Sequence, residues 1–166
     1  MGQYYKVVNT TKKQTLSPYA FGSGAKLMEF TSDRGTIMQG LGILLADGNN
    51  RGGGDLRSDK KIIGSWAGDS IVITGDYADK GKFTKDEEKN LYEESEGYKD
   101  VSLDVIEALL DDGWWEDEYY LKWKRSGFSH WNEEIQKFNL ERFGSRMAHE
   151  LIDVIKESEE SWNKQH

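Results

Sequence analysis

Residues 70–79, "SIVITGDYAD", decide how this chain is read. Ile71, Val72 and Ile73 form a continuous apolar run bounded by turn residues, which predicts a buried inner strand. Gly75-Asp76 and then Asp79 make a GDxxD segment of the kind that two-metal phosphoesterases carry after a strand. Such an enzyme also needs a DxH on an earlier strand and later Asn and His ligands, to hold two cations about 3.5–4 Å apart. This sequence has no DxH and no GNH, and His130, His149 and His166 all lie far downstream. The segment therefore predicts a turn, with Gly75 giving backbone freedom and Asp76 accepting backbone amides. Asp69 and Asp76 flank the strand. Seven residues at ~3.3 Å each set them roughly 20 Å apart, too far to act as a pair. Asp76 and Asp79 can converge, because a turn brings i and i+3 together.

Upstream of this stretch, "QYYKVVN" (3–9) predicts a strand and "NTTKKQT" (9–15) a polar turn. "TLSPYAF" (15–21) predicts a second short strand that Pro18 confines to an edge or an end. "SGAKLMEF" (23–30) predicts a short helix capped by Ser23, with Leu27, Met28 and Phe30 as its apolar residues. In residues 35–50, Ile37, Met38, Leu41, Leu44 and Leu45 recur at helical spacing. Gly40 and Gly42 each weaken that helix by roughly 1 kcal/mol relative to alanine, which points to close packing against another backbone. "DGNNRGGGDLRSD" (47–59) predicts a flexible loop. It mimics a calcium loop, but Arg51 occupies a ligand position and Ser58 stands where a bidentate glutamate belongs. "FGSGAK" (21–26) offers free amides and Lys26 to an anion, yet lacks the Walker pattern.

Downstream, residues 81–100 are strongly charged and predict a surface linker. "DVSLDVIEALLDDG" (100–113) predicts a helix capped by Ser102, with Leu103, Ile106, Leu109 and Leu110 on one face and Gly113 ending it. "WWEDEYYLKWK" (114–124) fits strand and helix equally: Trp115, Tyr119, Leu121 and Trp123 alternate, while Glu118 and Lys122 stand i,i+4. Residues 131–162 predict helix, with Ile135, Phe138, Met147, Leu151, Val154 and Ile155 inward and a break at Gly144-Ser145. The sum is an α+β fold in one domain, residues 1–166. A small N-terminal sheet with two short helices (1–80) is followed by the linker and a mostly helical C-terminal part (101–166).

Composition narrows the chemistry. The 166 residues carry a net charge of −8 and no cysteine, which excludes disulfides, thiolate zinc sites and cysteine nucleophiles within this sequence. No run approaches 18 apolar residues, so no membrane span is expected. Residues 1–20 hold no apolar signal core, and a reducing, cytoplasmic setting is expected. The acidic balance argues against nucleic acid and fits a basic protein partner or a charge that keeps the chain in solution; the expected partner is a small-molecule ligand or a protein.

"MGQYYKVVN" (1–9), "FGSGAKLMEF" (21–30) and "GSWAGDSIVITGDYADKG" (64–81) together resemble an uncharacterised family of small bacterial and fungal proteins. Those proteins begin Met-Gly-Gln-Tyr and carry a WAGD…GDYAD block. The resemblance covers the first half of the chain and implies a shared N-terminal domain, not a reaction.

The candidate ligand-binding residues are Trp66, Asp69, Asp76, Tyr77, Asp79, Lys26 and Glu29. Aromatic rings beside carboxylates can wall a planar or cationic ligand. The expected function is non-catalytic binding by occupancy, which sequesters a small ligand or inhibits a protein partner, with no cofactor and no metal. The alternative is a hydrolase or transferase that uses Asp76 and Asp79 with Lys26 or Glu29. Geometry separates the two. Clustered Asp76, Asp79 and Glu29 with room for a cation favour chemistry, and an aromatic pocket without that cluster favours binding.

Overall fold

Val7 and Val8 are both completely buried, and this pair marks the centre of the sheet. They belong to β1 (Tyr5–Asn9), which turns back through a four-residue loop into β2 (Gln14–Leu16). β1 also pairs antiparallel with β3 (Ile71–Gly75), and β2 pairs parallel with β4 (Lys99–Asp100). The strand order is β3-β1-β2-β4. This is a computed structural model; it describes residues 2–31, 35–124 and 133–144. The chain forms two compact units, Met1–Trp114 and Trp115–His166. The class is α+β, as the sequence predicts.

The apolar run at 71–73 is not an inner strand. β3 lies at the sheet's edge, Ile71 and Val72 are half-buried, and Ile73 is 38% exposed. A three-residue apolar run puts apolar side chains on both faces of a strand, yet here none of the three is fully buried. It carries no information on how many neighbours the strand has, and β1, with more polar ends, takes the centre.

Residues paired across the ladders share a face of the sheet. Tyr5, Val7, Asn9, Gln14, Leu16, Ile71 and Ile73 share one face, and Lys6, Val8, Thr15, Val72, Thr74 and Asp100 the other. α1 (Ile37–Leu45) packs on β2 and on α3 (Ser102–Asp111). Ile37, Leu41 and Leu44 are buried as the spacing predicts, joined by Ile43, whereas Met38 and Leu45 are exposed. Gly40 meets a side chain and not a backbone: a Cβ there would stand 2.6 Å from the Phe21 ring. Gly42 faces open space. Ser23 caps a different element from the one expected. Its hydroxyl accepts the Ile37 N–H (3.2 Å) at the start of α1. Leu27–Thr31 is a 3-10 turn that buries only Phe30 and leaves Leu27 and Met28 exposed.

The glycine-rich loop is held by its own side chains. Asn49 accepts the Leu56 N–H (2.9 Å), Asp55 accepts those of Arg51 and Gly52, and Leu56 is buried. Lys60 then bridges Glu107 (3.1 Å) and Asp111 (2.8 Å) of α3. Residues 81–100 are likewise part of the fold and not a linker. They supply α2 (Leu91–Glu94), a 3-10 turn (Ser95–Gly97), β4, and the buried residues Asn90, Leu91 and Ser95. α3 buries Ile106, Leu109 and Leu110, half-buries Leu103, and ends at Gly113, whose φ is 78°.

The second unit begins helical. α4 (Asp117–Tyr119) runs into a π-helical turn (Tyr120–Lys124), so the ambiguous segment is not a strand. Residues 133–144 are helical, with Ile135 buried and Gly144 at φ 51°. The Tyr120 hydroxyl donates to Asn139 (2.6 Å) and its ring stacks on Phe143 at 5.5 Å. Met147, Leu151, Val154, Ile155 and the three histidines lie outside the described residues. Among the described residues, no helix is long and apolar enough to cross a membrane.

Candidate functional site

β3 ends on bonds that reach back to the start of the chain. The Asp76 N–H donates to the Tyr4 carbonyl (2.9 Å), and the Tyr4 N–H donates to the Asp76 carboxylate (3.0 Å). Asp76 thus accepts an amide of the neighbouring segment, not one of its own turn. Buried Asn90 donates to the carbonyls of Asp76 (2.9 Å) and Ala78 (3.3 Å). Its amide oxygen accepts the Glu93 N–H (2.9 Å) and so caps α2. The GDYAD turn is clamped between β1 and α2, while Tyr77 and Asp79 point to solvent as exposed residues.

The other candidates lie elsewhere. Trp66 is fully buried, with its indole N–H on Gln14 (2.7 Å), so it is core and not a ligand wall. Asp69 accepts from Asn9 (2.8 Å) and pairs with Lys12. The hydrogen bond from Lys12, then that from Asn9, holds its carboxyl below the usual range. Glu29 accepts the Lys26 N–H (3.0 Å), and Lys26 is exposed. The seven residues therefore divide between the two ends of β3 and the 3-10 turn. Among the described residues, no three histidine or carboxylate groups are arranged to hold a metal ion.

A different site opens on the sheet face that carries Lys6. Lys6, Thr15, Tyr19, Tyr92, Glu96 and Asp100 are among the residues that line a cleft of about 220 Å³. The Lys6 ammonium stands 4.3 Å from the centre of the Tyr92 ring. Burial lowers its pKa, against the opposing pull of Glu96 and then Asp100. Asp100 shifts the other way. Burial of the carboxyl raises it, and the bonds from Ser102 and the charge of Lys6 moderate the rise. The residue as a whole is exposed at the strand's outer side, so solvent screens part of this effect.

The floor of the cleft is fixed by a short chain of bonds. The Ser17 N–H donates to the Ser102 hydroxyl (2.9 Å), which donates to Asp100. The Ser102 N–H reaches the same carboxylate oxygen (2.9 Å), and the Val101 N–H donates to the Thr15 carbonyl (2.9 Å). Ser102, expected as a cap, instead joins β2 to β4.

Burial raises the pKa of Tyr19, Tyr92 and Tyr98, and negative charge adds to each. After burial come Tyr4, Asp76 and Glu29 for Tyr19; Tyr19, Asp76 and Glu96 for Tyr92; and Glu94, opposed by Lys85, for Tyr98. Aromatic faces with carboxylates nearby are suited to holding a cation. None of the seven sequence candidates lines this cleft. The signal that could have found it is the run Tyr92, Glu96, Tyr98, Asp100, inside the segment read as linker. No protein-family model, curated protein or solved structure matches the chain, and the site is read on its own chemistry.

Proposed function

We propose that this protein is a non-catalytic binding protein that acts by occupancy. Its tyrosine-lined cleft holds one compact cationic group, an ammonium or a guanidinium. The observation that carries this reading is Lys6: the cleft already holds a cation over Tyr92 with Glu96 and Asp100 beside it. A cation over an aromatic face is favoured by about 0.5–1 kcal/mol when exposed and by about 2 when desolvated. Drug-sized ligands need roughly 300–1,000 Å³, so a cleft of about 220 Å³ suits a single functional group. That group belongs either to a small free amine or guanidine, or to a Lys or Arg side chain of a basic protein partner. The net charge of −8 favours both. A cytoplasmic setting is part of the proposal and rests on the absence of cysteine from the sequence.

The engagement of Asp76 by the Tyr4 amide supports a structural role for the GDYAD turn over a hydrolytic one. We read the resemblance of the MGQY and WAGD…GDYAD segments to a family of small proteins in the same way. The first leads into β1, and the WAGD…GDYAD block contains β3.

The test is a titration with agmatine, choline and a short Lys/Arg peptide, with inorganic phosphate as the anionic control, followed by tyrosine ring resonances. Saturable binding of the cations that disappears in Tyr92→Ala is expected. Phosphate binding in their place, or cation binding that survives Tyr92→Ala unchanged, would overturn the reading.

A further inference from the structure

The two edges of the sheet are unequal. β4 is two residues long and both are charged, whereas residues 70–75 at the β3 edge carry no charge. The phase of the β1–β3 ladder is set by its ends. The Thr10 N–H donates to the Ser70 carbonyl (3.0 Å) and the Asp76 N–H to the Tyr4 carbonyl (2.9 Å). Even-numbered residues of β3 therefore aim their backbone at β1, and Ile71 and Ile73 aim theirs outward. Among the described residues, nothing bonds the outward N–H and C=O of Ile71 and Ile73. The next outward carbonyl, on Gly75, accepts the Ala78 N–H (3.0 Å) and keeps one lone pair for a further donor. Lysine, proline and bulges are the usual devices that block strand addition, and residues 70–75 contain no lysine or proline and pair with β1 without a bulge.

We propose that this edge pairs with β3 of a second copy, antiparallel across a two-fold axis at Ile73. Two four-stranded sheets then become one continuous sheet. The sequence around the axis matches itself. Ile73 faces Ile73, Ile71 faces Gly75 and Val72 faces Thr74. Asp76 falls opposite Ser70 and Asp69 opposite Tyr77, so no carboxylate meets a carboxylate. On a chain of net charge −8, most surfaces repel a second copy, and residues 70–75 are a neutral window in that field. The pairing of five residues buries far less than the ~1,200 Å² of a stable interface, so the dimer is weak and reversible.

Sedimentation equilibrium from micromolar to millimolar concentration tests this on the full chain. The mass is expected to rise from 19.0 kDa toward twice that value as concentration increases. Ile73→Lys places two ammonium groups at the axis and is expected to stay monomeric with an unchanged circular dichroism spectrum. Ile73→Cys adds the chain's sole thiol, and a hydrogen-bonded pair sets the two Cα atoms ~5.5 Å apart, within disulfide reach. With copper–phenanthroline as oxidant, the two thiols give up two protons and two electrons and form a covalent dimer. A native chain that remains monomeric throughout overturns the proposal. A dimer that persists in folded Ile73→Lys, or that fails to cross-link in Ile73→Cys, overturns it as well.

Discussion

On one face of the sheet, Val7 is completely buried, and the fully buried Trp66 bonds Gln14. On the other, Lys6, Thr15 and Asp100 open onto the tyrosine-lined cleft. The same strands build both, one residue out of phase. Charge is treated differently on the two sides. Asp69, beside Asn9, is held ionised by a lysine and an amide, while Lys6 and Asp100 are both pushed toward their neutral forms by burial. A face whose charges are satisfied contributes stability. A face that holds a half-buried lysine against an aromatic ring is one whose cation a ligand can replace.

The largest effect that tests this contrast is on stability. Trp66→Ala removes a fully buried ring and its bond to Gln14, and is expected to cost about 3–5 kcal/mol by chemical denaturation. Tyr92→Ala, on the half-buried cleft wall, should cost clearly less. Equal losses would show that the two faces do the same work. Asp76→Ala comes next. It removes the acceptor of the Tyr4 amide, at a cost of about 1 kcal/mol, and Asp76→Asn loses less because an acceptor oxygen remains. An Asp76→Ala variant as stable as the parent, but without binding, would return the GDYAD turn to the list of functional centres.

How much of this was legible follows from range. The β1–β2 hairpin, α1, α3 and the stop at Gly113 were readable because each is decided by residues close in sequence. β4 was not, because two charged residues carry no strand signal and their pairing with β2 is set from 85 residues away by the Ser17–Ser102 bond. β3 is legible as a strand but not as an edge strand, since an apolar run shows neither how many strands pair with it nor how fully its faces are covered. The inner-strand reading gives Ile73→Ala a cost of roughly 2–5 kcal/mol, whereas 38% exposure at an edge brings it to about 1 or less. The cleft was missed for the same reason as β4: Lys6, Thr15 and Tyr19 meet Tyr92, Glu96 and Asp100 only after β2 and β4 pair. Trp66 was offered as a ligand wall because composition cannot tell a core ring from a pocket ring.

Acid titration sharpens the comparison further, because the two faces respond with opposite sign. The Asp69 pKa is lowered in the fold, so its contribution is present above the unfolded carboxyl pKa and is lost as pH falls through the folded value. The Asp100 pKa is raised. Its contribution is complete below the unfolded value and fades as pH rises through the folded one. Melting curves across the acidic range should therefore show Asp69→Asn losing part of the parent's fall in stability below the usual carboxyl range. Asp100→Asn should differ from the parent chiefly above that range, by gaining stability relative to it. Shifts of the same sign in both variants would mean that the faces are electrostatically alike.

The smallest effect on stability, and the most direct probe of the cleft, is Lys6→Met. Methionine keeps the unbranched apolar stem over Tyr92 and removes the ammonium. Burial already lowers the Lys6 pKa, so taking the charge away relieves desolvation on one side and strands Glu96 and Asp100 on the other. These terms oppose each other, and the net change in stability is expected to stay within about 0.5 kcal/mol, as for most substitutions outside the core. Binding should move much more. If Lys6 occupies the place that a ligand's cation takes, its removal leaves an aromatic face and two uncompensated carboxylates, and agmatine should bind several-fold more tightly. Tighter binding in Lys6→Met, lost again when Tyr92→Ala is added, identifies the lysine as an internal stand-in for the ligand. Weaker agmatine binding in Lys6→Met would overturn the idea that the lysine stands in the ligand's place, and phosphate binding by the parent that is lost in Lys6→Met would show instead that the cleft selects an anion.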